Sequence, residues 1–244
     1  MDIADQKFGT LYIVATPIGN MGDITLRAIE TLKSVDLIAC EDTRVSKKLL
    51  DHLGIQKKMI SLHQHSGEDK FNLILRALTR GVNVAYITDG GTPGISDPGQ
   101  ELAKNLKLKT NNLVKVIPIP GPSAVVAAIS VSGMVEKEFY FVGFLPKKKG
   151  RQTTFKFFES LNCPIVIYES AIRLQKTLED VKNYLGGDTE VFIAREMTKM
   201  FEEYWGGNIE HVISELKNHT LKGEIVLIVR KSVKSVKSIK SNDN

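Results

Sequence analysis

Short apolar segments rich in β-branched residues alternate along the chain with longer segments whose apolar residues recur every three or four positions. Several of the short segments are apolar at successive positions, which is typical of strands buried on both faces. The alternation predicts an α/β fold. The predicted strands are LYIVA (11–15), DLIAC (36–40), NVAYIT (83–88), VKVIPI (114–119), FYFVGF (139–144), PIVIYE (164–169), TEVFIA (189–194) and EIVLIV (224–229).

The rhythm of strands and helices is interrupted by PIPGPS near residue 120. We therefore predict an N-terminal α/β domain over residues 1–120 and a C-terminal α/β domain over residues 121–230. Residues 231–244 repeat lysine, serine and an aliphatic residue every three positions, a period that fits neither a helix nor a strand. We expect this basic tail to be disordered and to contact phosphates.

The 244 residues are 42% hydrophobic and 25% charged, which is enough to bury a large core. No apolar run approaches the roughly 18–20 residues of a membrane span, and MDIADQKFG carries acids where a signal peptide needs basic and then apolar residues. These features predict a soluble, cytoplasmic protein without a membrane partner. The two cysteines, Cys40 and Cys163, lie far apart without a CxxC pattern, which favours buried free thiols over a disulfide or a metal site.

The net charge of +5 and the isoelectric point near 9.0 suit a polyanionic partner. Besides the tail, the positive charge is concentrated in PKKKGR, which contains Lys147, Lys148, Lys149 and Arg151. These four residues are candidate contacts to a polyanion, although a solvated surface explains a lysine run equally well.

Common cofactor and nucleophile motifs are absent or altered. TPIGNMG after the first predicted strand has the wrong glycine spacing for the dinucleotide motif GxGxxG, and GxxxxGK followed by Ser or Thr does not occur. HExxH is absent, and His63 and His65 would need further ligands to hold a metal, so we predict polar loop histidines and no metal. The absence of GxSxG argues against a hydrolase.

Four unusual segments follow predicted strands, namely TPIGNMGD, EDTR, DGGTPGISDPG and PGPSA. Ligands of α/β folds bind beyond the carboxyl ends of the strands, so we expect these segments to form one pocket. The third segment, residues 89–99, has four glycines and two prolines, which suit a preorganised backbone that closely approaches a compact ligand. Asp89 directly follows the predicted strand, and Asp97 before Pro98 fits a helix N-cap at least as well as a ligand contact.

Several strings resemble the tetrapyrrole-methylase-like superfamily of S-adenosylmethionine enzymes, and the resemblance covers roughly residues 8 to 230. The strings are LYIVATPIGNMGDITLRAIETLKSVDLIACEDTRVSKKLL, VAYITDGGTPGISDPG, VIPIPGPSAVVAAISVSG, FYFVGFLPKKKGR, YESAIRL and AREMTKMFEEYWGG. The combination of EDTR, the glycine-rich loop, PGPSA and GFLP is similar to the branch that methylates the 2'-oxygen of a cytidine in bacterial 16S ribosomal RNA.

This resemblance implies a two-domain class III methyltransferase fold and a homodimer that binds S-adenosylmethionine between its domains. The implied partner is 16S ribosomal RNA or the assembled small subunit, with RNA contacts at the basic residues of PKKKGR. The resemblance assigns cofactor contacts to residues of the loops after the strands and of GFLP and YES. They are Pro17, Asp89, Gly90, Gly91, Thr92, Gly94, Ile95, Ser96, Gly121, Pro122, Ser123, Ala124, Phe144, Leu145, Pro146 and Tyr168.

Transfer of a methyl group to a ribose hydroxyl requires alignment of oxygen, carbon and sulfur, and removal of the hydroxyl proton. The candidate catalytic groups are Glu41, Asp42 and Arg44 in EDTR, and Arg195, Glu196 and Lys199 in AREMTK. Charged side chains directly after an apolar strand lose solvation free energy unless they interact with a partner. We therefore favour a functional role for EDTR over a plain helix start capped by Asp42 or Thr43. The sequence leaves the identity of the base open.

One departure from the family pattern affects RNA binding. The proline and histidine expected after YES are replaced by Ala171 and Ile172, which removes any RNA contact through that histidine. Two alternative functions are a small-molecule methyltransferase for a tetrapyrrole and a non-catalytic RNA-binding protein. EDTR and GFLPKKKGR argue against the first alternative, and the intact cofactor loops argue against the second.

Overall fold

The protein folds into two compact units in a computed structural model that describes residues 7–63 and 68–232. The first unit comprises the chain up to Ala127 together with Met197–Met200, and the second comprises Ala128–Glu196 and the chain from Phe201 onward. This division falls within one helix, whereas the sequence placed the boundary between residues 120 and 121. His65 and the tail beyond Ser232 lie outside the described residues, so the predictions made for them stay predictions.

The first unit contains a five-stranded sheet in which all neighbouring strands run parallel. Its strands, in the spatial order β3-β2-β4-β1-β5, are β1 (Thr10–Val14), β2 (Leu37–Cys40), β3 (Lys58–Ser61), β4 (Val84–Ile87) and β5 (Lys115–Ile119). Its helices are α1 (Leu26–Ser34), α2 (Thr43–His52), α3 (Glu68–Thr79) and α4 (Gly99–Lys109), with a 3-10 turn at Met21–Asp23. Helix α5 (Ala124–Ser132) follows β5 and contains the division between the units.

The central strand β4 is buried on both faces. Val84 and Tyr86 belong to one apolar cluster, whereas Ala85 and Ile87 belong to the cluster on the opposite face of the sheet. Successive side chains of a strand point to opposite faces, so an uninterrupted apolar run is what such a position requires. The predicted α/β fold class is confirmed.

The second unit contains a mixed sheet in the order β6-β7-β10-β8-β9, in which only β6 and β7 pair in parallel. Its strands are β6 (Tyr140–Phe144), β7 (Ile165–Ser170), β8 (Glu190–Arg195), β9 (Glu203–Asn208) and β10 (Glu224–Arg230). Its helices are α6 (Arg151–Ser160), α7 (Ala171–Leu185) and α8 (Ile209–Glu215), followed by a 3-10 turn at Leu216–Asn218. Ile167 of β7 and Leu227 of β10 pack with Leu178 of α7 in the core of this unit.

Two strands were not predicted from the sequence. Strand β3 is only four residues long and has one buried residue, Ile60, so it lacks an apolar run. Strand β9 contains Gly206 and Gly207 and is mostly exposed at the edge of its sheet. Neither segment has the composition of a typical strand, and each pairs along its whole length with a neighbouring strand of equal length, β3 with β2 and β9 with β8.

Among the described residues, no helix has both the length and the apolar character needed to cross a membrane. Cys40 and Cys163 are both free thiols. Cys40 is buried, as predicted, and its burial raises the pKa of the thiol. Cys163 is half-buried, so the prediction that both thiols are buried is wrong for this residue; it lies in the short connection before β7.

Candidate functional site

The carboxyl ends of the five strands of the first unit lie along one edge of their sheet because the strands are parallel. The segments after β1, β2, β4 and β5 therefore meet at this edge, as the sequence predicts. We call these four segments, residues 15–20, 41–42, 88–98 and 120–124, the loop edge.

The segment after β4 is bound to the segment after β1 by a reciprocal pair of backbone hydrogen bonds. The Thr16 N–H donates to the Gly91 carbonyl and the Gly91 N–H donates to the Thr16 carbonyl, both at 3.0 Å. Gly91 has a φ of 88°, a conformation that residues with a Cβ rarely adopt. The Thr16 hydroxyl also donates to the Thr88 carbonyl at 3.3 Å. These contacts fix the start of the glycine-rich loop against β1.

The carboxylate of Asp97 holds the second half of the glycine-rich loop. It accepts hydrogen bonds from the N–H groups of Gly94, Ile95 and Gly99 at 2.7–3.0 Å. The predicted N-cap role is wrong in position, because Pro98 occupies the cap of α4 and Asp97 precedes it. The carboxylate nevertheless satisfies the amide of Gly99, the first helical residue, so its role is to shape the loop and the helix start together.

The segment after β5 is bound to the same loop. The Thr92 hydroxyl donates to the Pro122 carbonyl at 2.9 Å, and a Cβ built on Gly121 would lie only 3.0 Å from the Cβ of Ala15. The loop edge therefore contains all the cofactor contacts predicted in the first unit. They are Pro17, Asp89, Gly90, Gly91, Thr92, Gly94, Ile95, Ser96, Gly121, Pro122, Ser123 and Ala124.

Besides Asp97, the loop edge contains the carboxyl groups of Glu41, Asp42 and Asp89. The Asp89 carboxylate accepts a hydrogen bond from the Asp42 N–H at 3.1 Å. The Asp42 carboxylate accepts from the Arg44 N–H, as the N-cap of α2, and pairs with the Arg44 guanidinium at 2.6 Å. The Glu41 carbonyl accepts from the Ser61 hydroxyl at 3.2 Å, which connects this segment to β3.

These carboxyl groups differ in their proton affinity. Burial raises the pKa of Glu41, and the negative charges of Asp89 and Asp97 raise it further. Burial likewise raises the pKa of Asp89, with a further contribution from the charge of Asp42. In contrast, hydrogen bonds from Arg44 lower the pKa of Asp42 to about 2. Glu41 and Asp89 are therefore better proton acceptors than Asp42.

Lys199 belongs to the first unit, although the rest of AREMTK except Met197 and Thr198 belongs to the second. A Cβ built on Gly19 would lie 2.5 Å from the Lys199 Cγ, so the lysine stem packs on the segment after β1. Arg195 is not available as a catalytic group, because its buried guanidinium pairs with Glu203 at 3.0 Å. The catalytic role of Lys199 stays a prediction.

Two residues predicted for the site in the second unit are buried. Leu145, directly after β6, is 2% exposed and lies in the apolar core. Arg151, the first residue of α6, is 7% exposed and pairs with Asp180 at 2.7 Å, which is not the exposed lysine-rich surface expected from PKKKGR. The cofactor contact of Leu145 and the RNA contact of Arg151 stay predictions.

The remaining predicted residues of the second unit lie at the surface. Phe144 is 60% exposed, Lys147, Lys148 and Lys149 are exposed, and Pro146 and Tyr168 are half-buried. Their binding roles stay predictions. Of the two residues that depart from the family pattern, Ala171 packs in the core, whereas Ile172 is 91% exposed at the start of α7.

A buried polar network in the second unit was missed by sequence reasoning. The fully buried Glu169 carboxylate accepts from the Thr177 hydroxyl at 2.7 Å and pairs with Arg173 at 3.2 Å. The Thr177 hydroxyl in turn accepts from Arg151 at 3.0 Å. The available signal was the glutamate within the apolar strand PIVIYE, because a buried carboxylate requires hydrogen-bonding partners.

Comparison with protein families defines the class of this fold. Residues 10–213 match the family of Tetrapyrrole (Corrin/Porphyrin) Methylases, and the chain therefore belongs to this family. The crystal structure of uroporphyrin-III C-methyltransferase from Thermus thermophilus, complexed with S-adenyl homocysteine, shares the fold with a TM-score of 0.62. The two are 17% identical, and the match covers 91% of this chain and 97% of that chain.

Curated relatives are more similar and carry one common name, Ribosomal RNA small subunit methyltransferase I. The relative from Synechocystis sp. PCC 6803 is 44% identical over 91% of this chain and 78% of its own length. The relative from Escherichia coli O157:H7 is 42% identical over 93% of this chain and 79% of its own length. The resemblance identified from the sequence motifs is thereby confirmed.

We expect Asp97→Ala to lower the free energy of unfolding by at least about 2 kcal/mol, because three backbone amides lose a charged acceptor. Urea denaturation followed by far-ultraviolet circular dichroism measures the change. Asp51→Ala is the matched control, since its exposed pair with Lys47 contributes about 0–1 kcal/mol. Equal stability of Asp97→Ala and the unmodified protein would contradict the anchoring role.

We also expect Arg151→Met to destabilise the second unit by about 3 kcal/mol, because Asp180 and Thr177 lose their buried partner. The single tryptophan, Trp205, packs against the core of this unit and reports its unfolding by fluorescence. Lys156→Met on the exposed face of α6 serves as the control and is expected to change stability by less than about 0.5 kcal/mol. If both variants unfold alike, the buried network does not stabilise this unit.

Proposed function

We propose that this protein uses S-adenosylmethionine to methylate the 2'-oxygen of a cytidine in 16S ribosomal RNA. The observation that carries the proposal is identity of 42–44% over about nine tenths of the chain to relatives named Ribosomal RNA small subunit methyltransferase I. The loop edge supports it, because four backbone segments suited to a compact ligand are bound together there. The RNA substrate would place the enzyme in the cytoplasm.

The residues of the loop edge fit the chemistry of S-adenosylmethionine. Asp89 offers an exposed carboxylate that can accept hydrogen bonds from amino or ribose hydroxyl groups. Gly90 is exposed, and a Cβ there would lie 3.3 Å from the Pro17 carbonyl, so the backbone can meet a ligand without an intervening side chain. When bound, the cofactor supplies an electrophilic methyl group on a sulfonium. The Thermus relative in the same family was crystallised with S-adenyl homocysteine, which supports this assignment.

Glu41 is the proposed proton acceptor. It follows β2 directly at the loop edge, and its half-buried carboxyl group has a raised pKa. Glu41 would accept the proton of the ribose 2'-hydroxyl, and the bound cofactor would supply the methyl group. Asp42 is a weaker candidate, because the cap of α2 and the pair with Arg44 occupy its carboxylate. Asp42 and Arg44 are proposed to position the substrate.

We further propose that the enzyme is a homodimer and acts on free 16S ribosomal RNA or on the small subunit. Helix α5 supports a subunit interface, because its sequence AVVAAISVS is almost entirely apolar while Val126 and Val131 are exposed. A helix that is apolar on all sides is normally covered by protein. A second copy of the chain would provide that cover.

We expect Glu41→Gln to reduce methyl transfer at least about 100-fold, the usual scale for loss of a general base. Tritiated methyl incorporation into small subunits measures the rate, and nuclease digestion locates the label on the base or the ribose. S-adenosylmethionine affinity, measured by calorimetry, is expected to change by no more than a few-fold. Asp51→Asn on the exposed face of α2 is the matched control.

Label on a base would contradict ribose methylation, and transfer to a tetrapyrrole with none to RNA would favour the small-molecule alternative. If Glu41→Gln kept full activity and the label lay on ribose, the proposed function would stand, but Glu41 would not be the proton acceptor. Cofactor binding without transfer to either substrate would favour the non-catalytic alternative.

The acid limb of the pH profile provides a separate test of Glu41. Only the ionised carboxylate accepts a proton, so kcat is expected to fall as the pH drops through the raised pKa of Glu41. The charges of Asp89 and Asp97 raise this pKa, whereas His63 lowers it. Asp89→Asn removes one repulsive charge and should shift the limb to lower pH. The measurement uses saturating cofactor, and an unmoved limb would show that Glu41 is not the titrating base.

A further inference from the structure

An exposed aromatic surface lies at the carboxyl ends of β6 and β7 in the second unit. Phe144, the last residue of β6, pairs with Tyr168 of β7, and their ring centroids are 5.5 Å apart. Phe141 packs edge-on against the same tyrosine at 5.0 Å. The Phe144 ring is 60% exposed, whereas the neighbouring strand β7 has no exposed residue. Such an exposed ring on a packed aromatic support is suited to binding a flat ligand.

Positive charge follows directly after this aromatic surface. Lys147, Lys148 and Lys149 are all exposed, and Lys147 is three residues beyond Phe144. Three residues span at most about 11 Å, so the first ammonium group lies within reach of a ligand stacked on the ring. We call Phe144, Tyr168 and Lys147–Lys149 the aromatic–lysine surface.

Two arginines, the buried Arg151 and the half-buried Arg173, hold the loop that carries the lysines. Arg173 donates to the Leu145 carbonyl at 2.7 Å, and Arg151 donates to the Pro146 carbonyl at 3.3 Å. Arg173 is paired with Glu169, and Arg151 is paired with Asp180. The two carbonyls just before the lysines are therefore fixed, and a ligand would bind a preorganised loop at a lower cost in conformational entropy.

We propose that the aromatic–lysine surface binds a single-stranded RNA segment, with one base stacked on Phe144 and phosphates contacting Lys147–Lys149. Proteins that bind single strands combine aromatic stacking with a basic track in this way. A duplex is disfavoured because its bases are already stacked and present no free face. This inference rests on RNA being the substrate under the proposed function, and it assigns Phe144 and Tyr168 to RNA instead of to the cofactor.

Fluorescence anisotropy with a labelled 12-nucleotide single-stranded RNA and a labelled blunt-ended RNA duplex of the same length tests this assignment. Phe144→Ala should weaken single-strand binding at least about fivefold, and Phe144→Trp should retain binding because it keeps a stacking face. Phe157→Ala is the matched control, since Phe157 is another exposed phenylalanine of this unit, on α6. The proposal would be overturned if Phe144→Ala weakened duplex binding by the same factor, or if it left single-strand binding unchanged.

The lysines are tested through the salt dependence of binding. Replacing Lys147, Lys148 and Lys149 together by Gln should reduce the slope of log affinity against log salt by about 2, since each phosphate contact on a single strand contributes about 0.7. The matched control replaces three other exposed lysines of this unit by Gln, namely Lys156, Lys176 and Lys217. Equal slopes in the two triple variants would overturn the placement of phosphates at this surface.

A cofactor measurement separates the two possible roles of the rings. Phe144→Ala should bind S-adenosylmethionine within twofold of the unmodified protein by calorimetry. If Phe144→Ala greatly lowered cofactor affinity and left RNA affinity unchanged, the rings would be assigned to cofactor binding and the proposal would be overturned. Oligonucleotide binding requires no methyl transfer, so Phe144-dependent binding by a protein that transfers no methyl group would support this surface and contradict the proposed function.

Discussion

The reciprocal backbone hydrogen bonds between Thr16 and Gly91 are the constraint on which the loop edge depends. They join the segments after two neighbouring parallel strands, and they require the left-handed φ of 88° at Gly91. With that point fixed, the Asp89 carboxylate reaches the Asp42 amide, and the Thr92 hydroxyl reaches the Pro122 carbonyl. The pairing at Gly91, together with the contacts of Asp89 and Thr92, thus connects all four segments that carry the predicted cofactor contacts and EDTR.

The same arrangement concentrates negative charge. Glu41 is half-buried and Asp89 is exposed, and partial desolvation together with nearby carboxylates raises the pKa of both. Holding such groups together lowers the stability of the folded state, and clusters of this kind are typical of sites where proton transfer or ligand binding compensates for that effect. Asp42 is different, because Arg44 and the start of α2 satisfy its carboxylate. The two adjacent acids of EDTR therefore differ in environment: the pKa of Glu41 is raised, whereas Asp42 caps α2 and its pKa is lowered.

The sequence predicted the parts of the fold that depend on local composition. Strands buried on both faces, such as β4, are continuous apolar runs, and the loop edge follows from parallel strands that end in unusual segments. Long-range contacts could not be predicted in this way. Strand β9 forms by pairing with β8 despite two glycines, and Arg151 is buried by Asp180 and Thr177, which are distant in sequence. The position of Arg151 beside three exposed lysines therefore predicted an exposed side chain, whereas the side chain is buried.

The central claim is that this chain places a methyl group on one cytidine ribose of 16S ribosomal RNA. Mass spectrometry of nuclease digests of 16S ribosomal RNA, from cells with and without the gene, tests it most directly. The account predicts one cytidine with a ribose methyl group that disappears with the gene and returns when the gene is restored. Identical digests from the two strains, or a lost methyl group that lies on a base, would contradict it.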